Sequence, residues 1–140
     1  MHKINFFSEN IPFTLTNKTL IRSWLLKCAK SEKQTISELN YIFCSDNYLK
    51  KINKQFLNHN YFTDIITFPT SPAGEKNISG DIFISIDRVR ENAKTYGVRI
   101  NKELNRVMVH GLLHLCGYKD KTSAEENKMR EKENFYLEKR

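Results

Sequence analysis

The sequence predicts a layered α/β fold: one small, mostly parallel or mixed four-stranded sheet with about five helices, in a single domain over residues 1–140. Three observations predict it. Residues 38–44 and 81–86 alternate apolar and polar side chains with the period of a strand. Residues 20–29 and 107–115 carry apolar runs of helical character. The elements follow as strand, helix, strand, helix, two strands and three helices, an order that packs helices on a shared sheet. A chain of 140 residues buries a real core without disulfides.

Residues 3–7 alternate well enough for a short first strand. Thr16 can cap a helix whose core stripe is Leu20, Ile21, Trp24, Leu25, Cys28 and Ala29. Leu39, Tyr41 and Phe43 then mark one face of a second strand from Glu38 to Cys44. Ser45 or Asp46 caps a helix that buries Leu49, Ile52 and Phe56, shows Lys50, Lys51 and Lys54 outward, and ends at Asn58-His59-Asn60. Thr63 to Phe68 is a β-rich run stopped by Pro69, and Thr70 to Ser79 reads as a connector of the kind that borders a site.

Ile82, Ile84 and Ile86 alternate with Asp81, Phe83 and Ser85 in the clearest strand. Asp87 caps a helix through Val89, Ala93 and Tyr96 that closes at Gly97, and Asn101 caps the next, with Glu103 in its first turn. Ser123 and Glu126 have the spacing of a capping box for a last helix. Its thin apolar face, Met129, Tyr136 and Leu137, predicts a surface position.

Net charge is +7, from 23 basic and 16 acidic residues, which favours a polyanionic partner without showing a basic tail. Cys28, Cys44 and Cys116 are widely spaced in apolar runs with no Cys-x-x-Cys pair, which favours reduced thiols in a cytoplasmic protein. No apolar stretch has the length of a membrane span, and a signal-peptide core is missing.

The chemistry concentrates in Val107-Met108-Val109-His110-Gly111-Leu112-Leu113-His114-Leu115-Cys116-Gly117-Tyr118-Lys119-Asp120. Histidines four apart on a helix project from one face about a turn apart, so both imidazoles reach one metal ion. Gly117 suits the left-handed position that ends a helix, letting the chain double back and bring Asp120 to the same face. Two imidazoles and a carboxylate leave a zinc ion one open coordination position, the arrangement of hydrolytic sites. Two details weigh against accidental spacing. The surrounding Val, Met and Leu residues bury the helix, so its imidazoles need partners, and mid-helix Gly111 marks close approach of another element.

With these motifs in hand, residues 80–118, from Gly80-Asp81-Ile82-Phe83-Ile84-Ser85-Ile86 through His110-Gly111-Leu112-Leu113-His114-Leu115-Cys116-Gly117-Tyr118, resemble the YbeY family of endoribonucleases, rRNA maturation factors also described as metal-dependent hydrolases. Thr63-Asp64-Ile65-Ile66-Thr67-Phe68-Pro69 is similar to that family's T-[DN]-V-L-S-F-P segment, and the likeness spans most of residues 40–137. It implies a single-strand-directed RNase with one zinc ion, associated with the ribosome and with maturation of the small-subunit rRNA 3′ end. The chain departs from the pattern twice. Asp120 stands where the family usually has a third histidine, and Leu57 stands where the family commonly has an arginine, with His59, Lys54 and Arg88 as candidates to replace it.

The expected site is therefore zinc on His110, His114 and Asp120, with Asp64 and Asp81 as candidates for the group that removes a proton. Manganese, iron and nickel also accept two nitrogens and an oxygen. A peptidase is disfavoured because Gly111, not a glutamate, follows the first histidine. The rival from another class is a non-catalytic, metal-stabilised ribosome-assembly protein that docks on rRNA.

Overall fold

Helix-bearing connections lay three strands parallel, and the short connection over residues 70–76 sets a fourth antiparallel to its neighbour. Strands β1 (Ile4–Glu9), β2 (Thr35–Cys44) and β4 (Asn77–Ser85) are parallel, and β3 (Ile65–Pro69) runs antiparallel to β4, in the order β1-β2-β4-β3. This comes from a computed structural model that describes residues 3–59 and 63–140. The helices are α1 (Lys18–Ser31), α2 (Asp46–Leu57), α3 (Ile86–Tyr96), α4 (Ile100–Leu115) and α5 (Ser123–Leu137). Helices α1 and α4 cover one face of the sheet, α3 and α5 flank α4, and α2 covers the other face. The predicted four-stranded mixed sheet with five helices is the fold observed.

The period of two in the strands sorts the two cores. Leu39, Tyr41 and Phe43 of β2 and Ile82 and Ile84 of β4 are buried with Met108, Leu112 and Leu113 of α4 and with Trp24, Leu25 and Cys28 of α1. The opposite face holds a smaller cluster of Cys44, Leu49 and Ile66, against which Phe68 and Phe83 pack. Each fully buried aliphatic side chain contributes roughly 1.5–3 kcal/mol, so the larger cluster, with α4 at its centre, dominates. Two buried polar groups tie its layers: Tyr41 Oη donates to the Met108 carbonyl at 2.8 Å, and Trp24 Nε1 donates to the Tyr136 carbonyl at 2.8 Å.

The helix ends differ in detail from the sequence expectations. At α1 the cap is Asn17, at φ 57°, rather than Thr16; asparagine tolerates this left-handed turn, and no side chain caps the helix. Leu20 and Phe56 fall on the outer sides of their helices, 66% and 60% exposed, and Asn53 is buried in α2 with Leu49. Helix α2 ends at Asn58, at φ 56°, and the expected contribution of Asn60 lies outside the described residues. Strand β4 starts at Asn77, inside the expected connector, and Ile86 opens α3 instead of closing the strand.

Ser85, not Asp87, caps α3, accepting from the Arg88 amide at 3.1 Å. Asp87 reaches across to accept from the Asp46 amide at 2.8 Å, satisfying an orphan donor of α2. Helix α4 begins at Ile100 after an extended Arg99, so Asn101 is already helical. The capping box of α5 is Thr122 with Glu125, one residue before the expected pair, and the same Thr/Ser-x-x-Glu spacing permits both. Met129, Glu133 and Tyr136 are buried, so α5 completes the core instead of lying on the surface.

Cys28, Cys44 and Cys116 are unpaired, and burial pushes each thiol up to about 12. Among the described residues no helix is long and apolar enough to cross a membrane.

Gly111 explains how α4 lies so close to the sheet. A Cβ there would stand 2.9 Å and 3.0 Å from Ile82 side-chain atoms and 3.1 Å from Ile65 Cδ1. Gly111→Ala gains about 1 kcal/mol of helix propensity, but overpacking against a fully buried Ile82 costs about 1–3 kcal/mol. The expected outcome is a net loss of stability in chemical denaturation, partly recovered in Gly111→Ala/Ile82→Val.

Candidate metal centre

The end of α4 builds the centre. Residues 110 and 114 share a face of the helix, and its last turn closes by bonds from the Gly117 amide to the His114 carbonyl and from the Tyr118 amide to the Leu113 carbonyl, both 3.0 Å. Gly117 takes φ 107°, a conformation that favours glycine, and the chain turns back over the helix end. Asp120 is thereby brought to the histidines. Its Oδ2 lies 3.2 Å from Nε2 of both His110 and His114, and those two nitrogens are 3.0 Å apart.

What holds each ring decides the chemistry of that triangle. His114 Nδ1 faces the Tyr118 carbonyl at 3.0 Å, and a carbonyl only accepts, so Nδ1 carries the hydrogen. His110 Nδ1 donates to Glu133 Oε2 at 2.6 Å. Burial pushes the Glu133 carboxyl up, but His110 and Arg106, the latter at 2.9 Å, hold it below its ordinary value and keep it an acceptor. Neutral rings so arranged turn two bare Nε2 lone pairs toward a carboxylate oxygen. Three acceptors 3.0–3.2 Å apart repel one another unless a cation lies among them.

The donor set fits a metal ion. Tetrahedral zinc with bonds of 2.0–2.1 Å spaces its ligand atoms by about 3.3 Å, close to the observed separations. The outward partners Glu133 and Tyr118 are the second layer that metal-binding histidines characteristically need. For His110, burial acts to lower the pKa, but the bond and charge of Glu133, with Asp120 and Asp64, raise it overall, which marks how strongly negative the surroundings are.

A second anchor fixes the loop. Tyr118 Oη donates to Glu32 Oε1 at 2.7 Å, Tyr136 Oη donates to Glu32 Oε2, and Lys132 Nζ lies 3.3 Å from the same carboxylate. Tyr118 therefore joins the end of α1 to His114, its hydroxyl held at one end and its carbonyl orienting the ring at the other.

The centre opens on a cleft of about 990 Å³. Asp64 lines it, with Oδ2 3.4 Å from Asn92 Nδ2; burial raises its carboxyl pKa against the pull of His110. Asp81 is not in the cleft. It lies on the opposite face of β4, accepting from Asn40 Nδ2 at 3.0 Å. Of the candidates to replace the arginine, His59 lines the cleft together with Leu57. Lys54 and Arg88 do not, and Arg88 is paired with Asp46 at 2.7 Å.

Sequence reasoning missed Lys102, Arg106, Lys119, Lys121 and Arg130 as the cleft's cations, and Glu133 as the His110 partner. A signal for Glu133 was present: it is the charged member of the stripe Met129, Glu133, Tyr136.

The chain matches the family described as Endoribonuclease YbeY over residues 3–140. It belongs to the YbeY endoribonuclease family. A Cytophaga hutchinsonii protein described as endoribonuclease YbeY is 54% identical, covering 96% of this chain and 93% of the relative. A Flavobacterium psychrophilum protein of the same description is 50% identical, covering 94% and 92%. A solution structure of a Thermotoga maritima protein superposes with a TM-score of 0.67 at 31% identity, covering 96% of this chain and 87% of that one. YbeY enzymes are hydrolases acting on RNA, and the His-His-Asp cluster of this member is compatible with a metal site.

Two outcomes follow from the second layer. Glu133→Gln should weaken divalent-metal affinity by about 10–100-fold, measured by competition with a chromophoric chelator. For Glu32, burial raises the carboxyl but the Tyr118, Tyr136 and Lys132 contacts outweigh it, holding the group below 4.5. A depressed folded-state pKa gives stability that is present above the unfolded value and lost as pH falls through the folded one. The stability gap between wild type and Glu32→Gln should therefore be full at neutral pH and shrink below about pH 4.5 in denaturant titrations.

Proposed function

We propose that this chain is a zinc-dependent, single-strand-specific endoribonuclease of the cytoplasm. As a single domain, it takes part in maturation of the small-subunit rRNA 3′ end and in ribosome quality control. The observation that carries the reading is the acceptor-only triangle of His110, His114 and Asp120 opening on a cleft rimmed by Lys102, Lys119, Lys121 and Arg130. The curated relatives are named as endoribonucleases, which supports RNA as the substrate.

His110, His114 and Asp120 hold the ion, which when bound supplies Lewis-acid polarisation of a phosphoryl oxygen and a nucleophile near neutral pH. Glu133 and the Tyr118 carbonyl keep each histidine hydrogen on Nδ1, so that Nε2 remains a donor of electrons. The rim cations bind the RNA backbone, with affinity that falls as salt rises. Asp64, on the cleft wall beside Asn92, is the carboxylate placed to take a proton; Asp81, across the sheet, is not.

The assembly-protein reading draws its support from Leu57, an apolar side chain lining the cleft where the family commonly offers a guanidinium. One experiment separates the two. Wild type and His114→Ala, each checked for thermal unfolding and metal content, are incubated with single-stranded RNA. The enzyme reading predicts that wild type retains about one metal equivalent and cleaves, while His114→Ala loses metal and more than about 100-fold in rate. Equal RNA binding with no cleavage by either protein would favour assembly instead.

A further inference from the structure

Glu103 has no part in the site as described so far. It lies in the first turn of α4 and is 5% exposed, yet its side chain lines the cleft. None of the hydrogen bonds or ion pairs among the described residues reaches its carboxylate; Arg106, one turn on, is committed to Glu133 and Asn134. An acid in a first helical turn gains from the helix dipole, which accounts for exposed acids at such positions. The oxygens of Glu103 are not sealed in the core: they open on the cleft, where Arg106 and Arg130 act on them through space. Burial of the group still raises its pKa. The Glu103 carboxylate is therefore an acceptor open to a hydrogen-bond donor that enters the cleft.

The surroundings narrow the donor's chemistry. A second cation needs several ligands, and among the described residues only His110, His114 and Asp120 bring three metal-binding atoms within 4.8 Å of one another. The cleft that Glu103 lines also holds apolar Val98 and Val107, the Asn92 amide, the Lys102 ammonium and Tyr96, which is 63% exposed at the end of α3. An exposed aromatic ring, apolar walls, a recessed acceptor and a cation at the mouth match a nucleotide. Glu103 also shares the cleft face of α4 with His110, seven residues away, a rise of about 10.5 Å. One nucleotide spans such a distance from its phosphate to the far edge of its base.

We propose that Tyr96 and Glu103 form a nucleobase subsite for the nucleotide beside the scissile phosphate, with Tyr96 stacking on the base and the Glu103 carboxylate accepting from its amino edge. The inference rests on the RNA-cleaving reading above and adds a base preference to it. Guanine presents two adjacent donors, N1–H and the 2-amino group, and satisfies both carboxylate oxygens. Adenine and cytosine present one amino group. The single N3–H of uracil is flanked by carbonyl oxygens that repel a carboxylate. The order is therefore guanine first and uracil last.

The test uses the zinc-loaded full chain and four single-stranded decamers of uridine carrying a central G, A, C or U. Wild type should bind the G decamer about tenfold more tightly than the all-U decamer and cut it next to the G. Glu103→Gln, whose side chain nearly matches in shape but carries both donor and acceptor, should bring that ratio below about twofold. A cooperative thermal transition near the wild-type temperature shows the variant folded, the substitution being nearly isosteric. Tyr96→Ala should weaken all four decamers about tenfold while keeping their order. Equal wild-type affinities, a Glu103→Gln protein that keeps the wild-type ratio, or a Tyr96→Ala protein with unchanged affinities would overturn the subsite alone. Loss of a metal equivalent in Glu103→Gln would overturn it by assigning the carboxylate to a cation. A wild type that neither binds nor cuts any decamer would overturn the RNA reading, and the subsite with it.

Discussion

Two imidazole nitrogens and a carboxylate oxygen, held 3.0–3.2 Å apart with both rings' Nδ1 atoms engaged outward, are the constraint on which the rest of the structure depends. Such a cluster is repulsive by itself, so the fold must hold it together. The burial of α4 supplies the force. Its apolar sides pack against the sheet, α1, α3 and α5, and Gly111 lets its backbone approach Ile82 and Ile65 closely enough for that packing to close. The histidines are then carried on a rigid element, where their separation is set by helix geometry.

The loop after α4 has less packing of its own and is held by polar contacts. Tyr118 is its fastener, with a hydroxyl bound to Glu32 and a carbonyl bound to His114. Glu32 also takes the Tyr136 hydroxyl and the Lys132 ammonium, while Trp24 donates to the Tyr136 carbonyl, so α1 and α5 brace the loop together. Helix α5 serves both layers at once. Met129 and Tyr136 enter the core, and Glu133, between them on the same stripe, reaches His110. A buried glutamate in an otherwise apolar stripe is costly unless paired, and the pairing with His110 and Arg106 is what makes it tolerable.

Much of this could be read from residue order, and the misses have physical causes. The strand alternation at Leu39-Tyr41-Phe43 and the bulk-free position at Gly111 were legible because they report local period and local crowding. The approach of Asp120 to the histidines was legible because one glycine sets the turn. Caps were harder: Asp87 and Ser123 have neighbours, Ser85 and Thr122, able to do the same work, Asp87 turning instead to the Asp46 amide, while α1 and α4 begin after Asn17 and Arg99 with no side-chain cap at all. Glu32 and Arg130 come from other elements than α4, so nothing local announces that they meet its end or its cleft, and the charge of Glu133 in the apolar stripe of α5 marks the residue without naming His110 as its partner. Asp64 and Asp81 are both acids beside apolar β runs; Asp64 precedes β3 and lines the cleft, whereas Asp81 lies within β4 and alternation turns it behind the sheet.

The central claim is that both rings are held as Nδ1–H tautomers with Nε2 turned to a shared cation. Nitrogen-15 NMR of the histidine side chains, recorded without metal and with one equivalent of zinc, tests it most directly. The account predicts hydrogens on Nδ1 of His110 and His114 in the zinc-loaded protein, and zinc-dependent shifts at both Nε2 atoms. Resonances unmoved by zinc, or either ring carrying its hydrogen on Nε2 in the loaded protein, would contradict it.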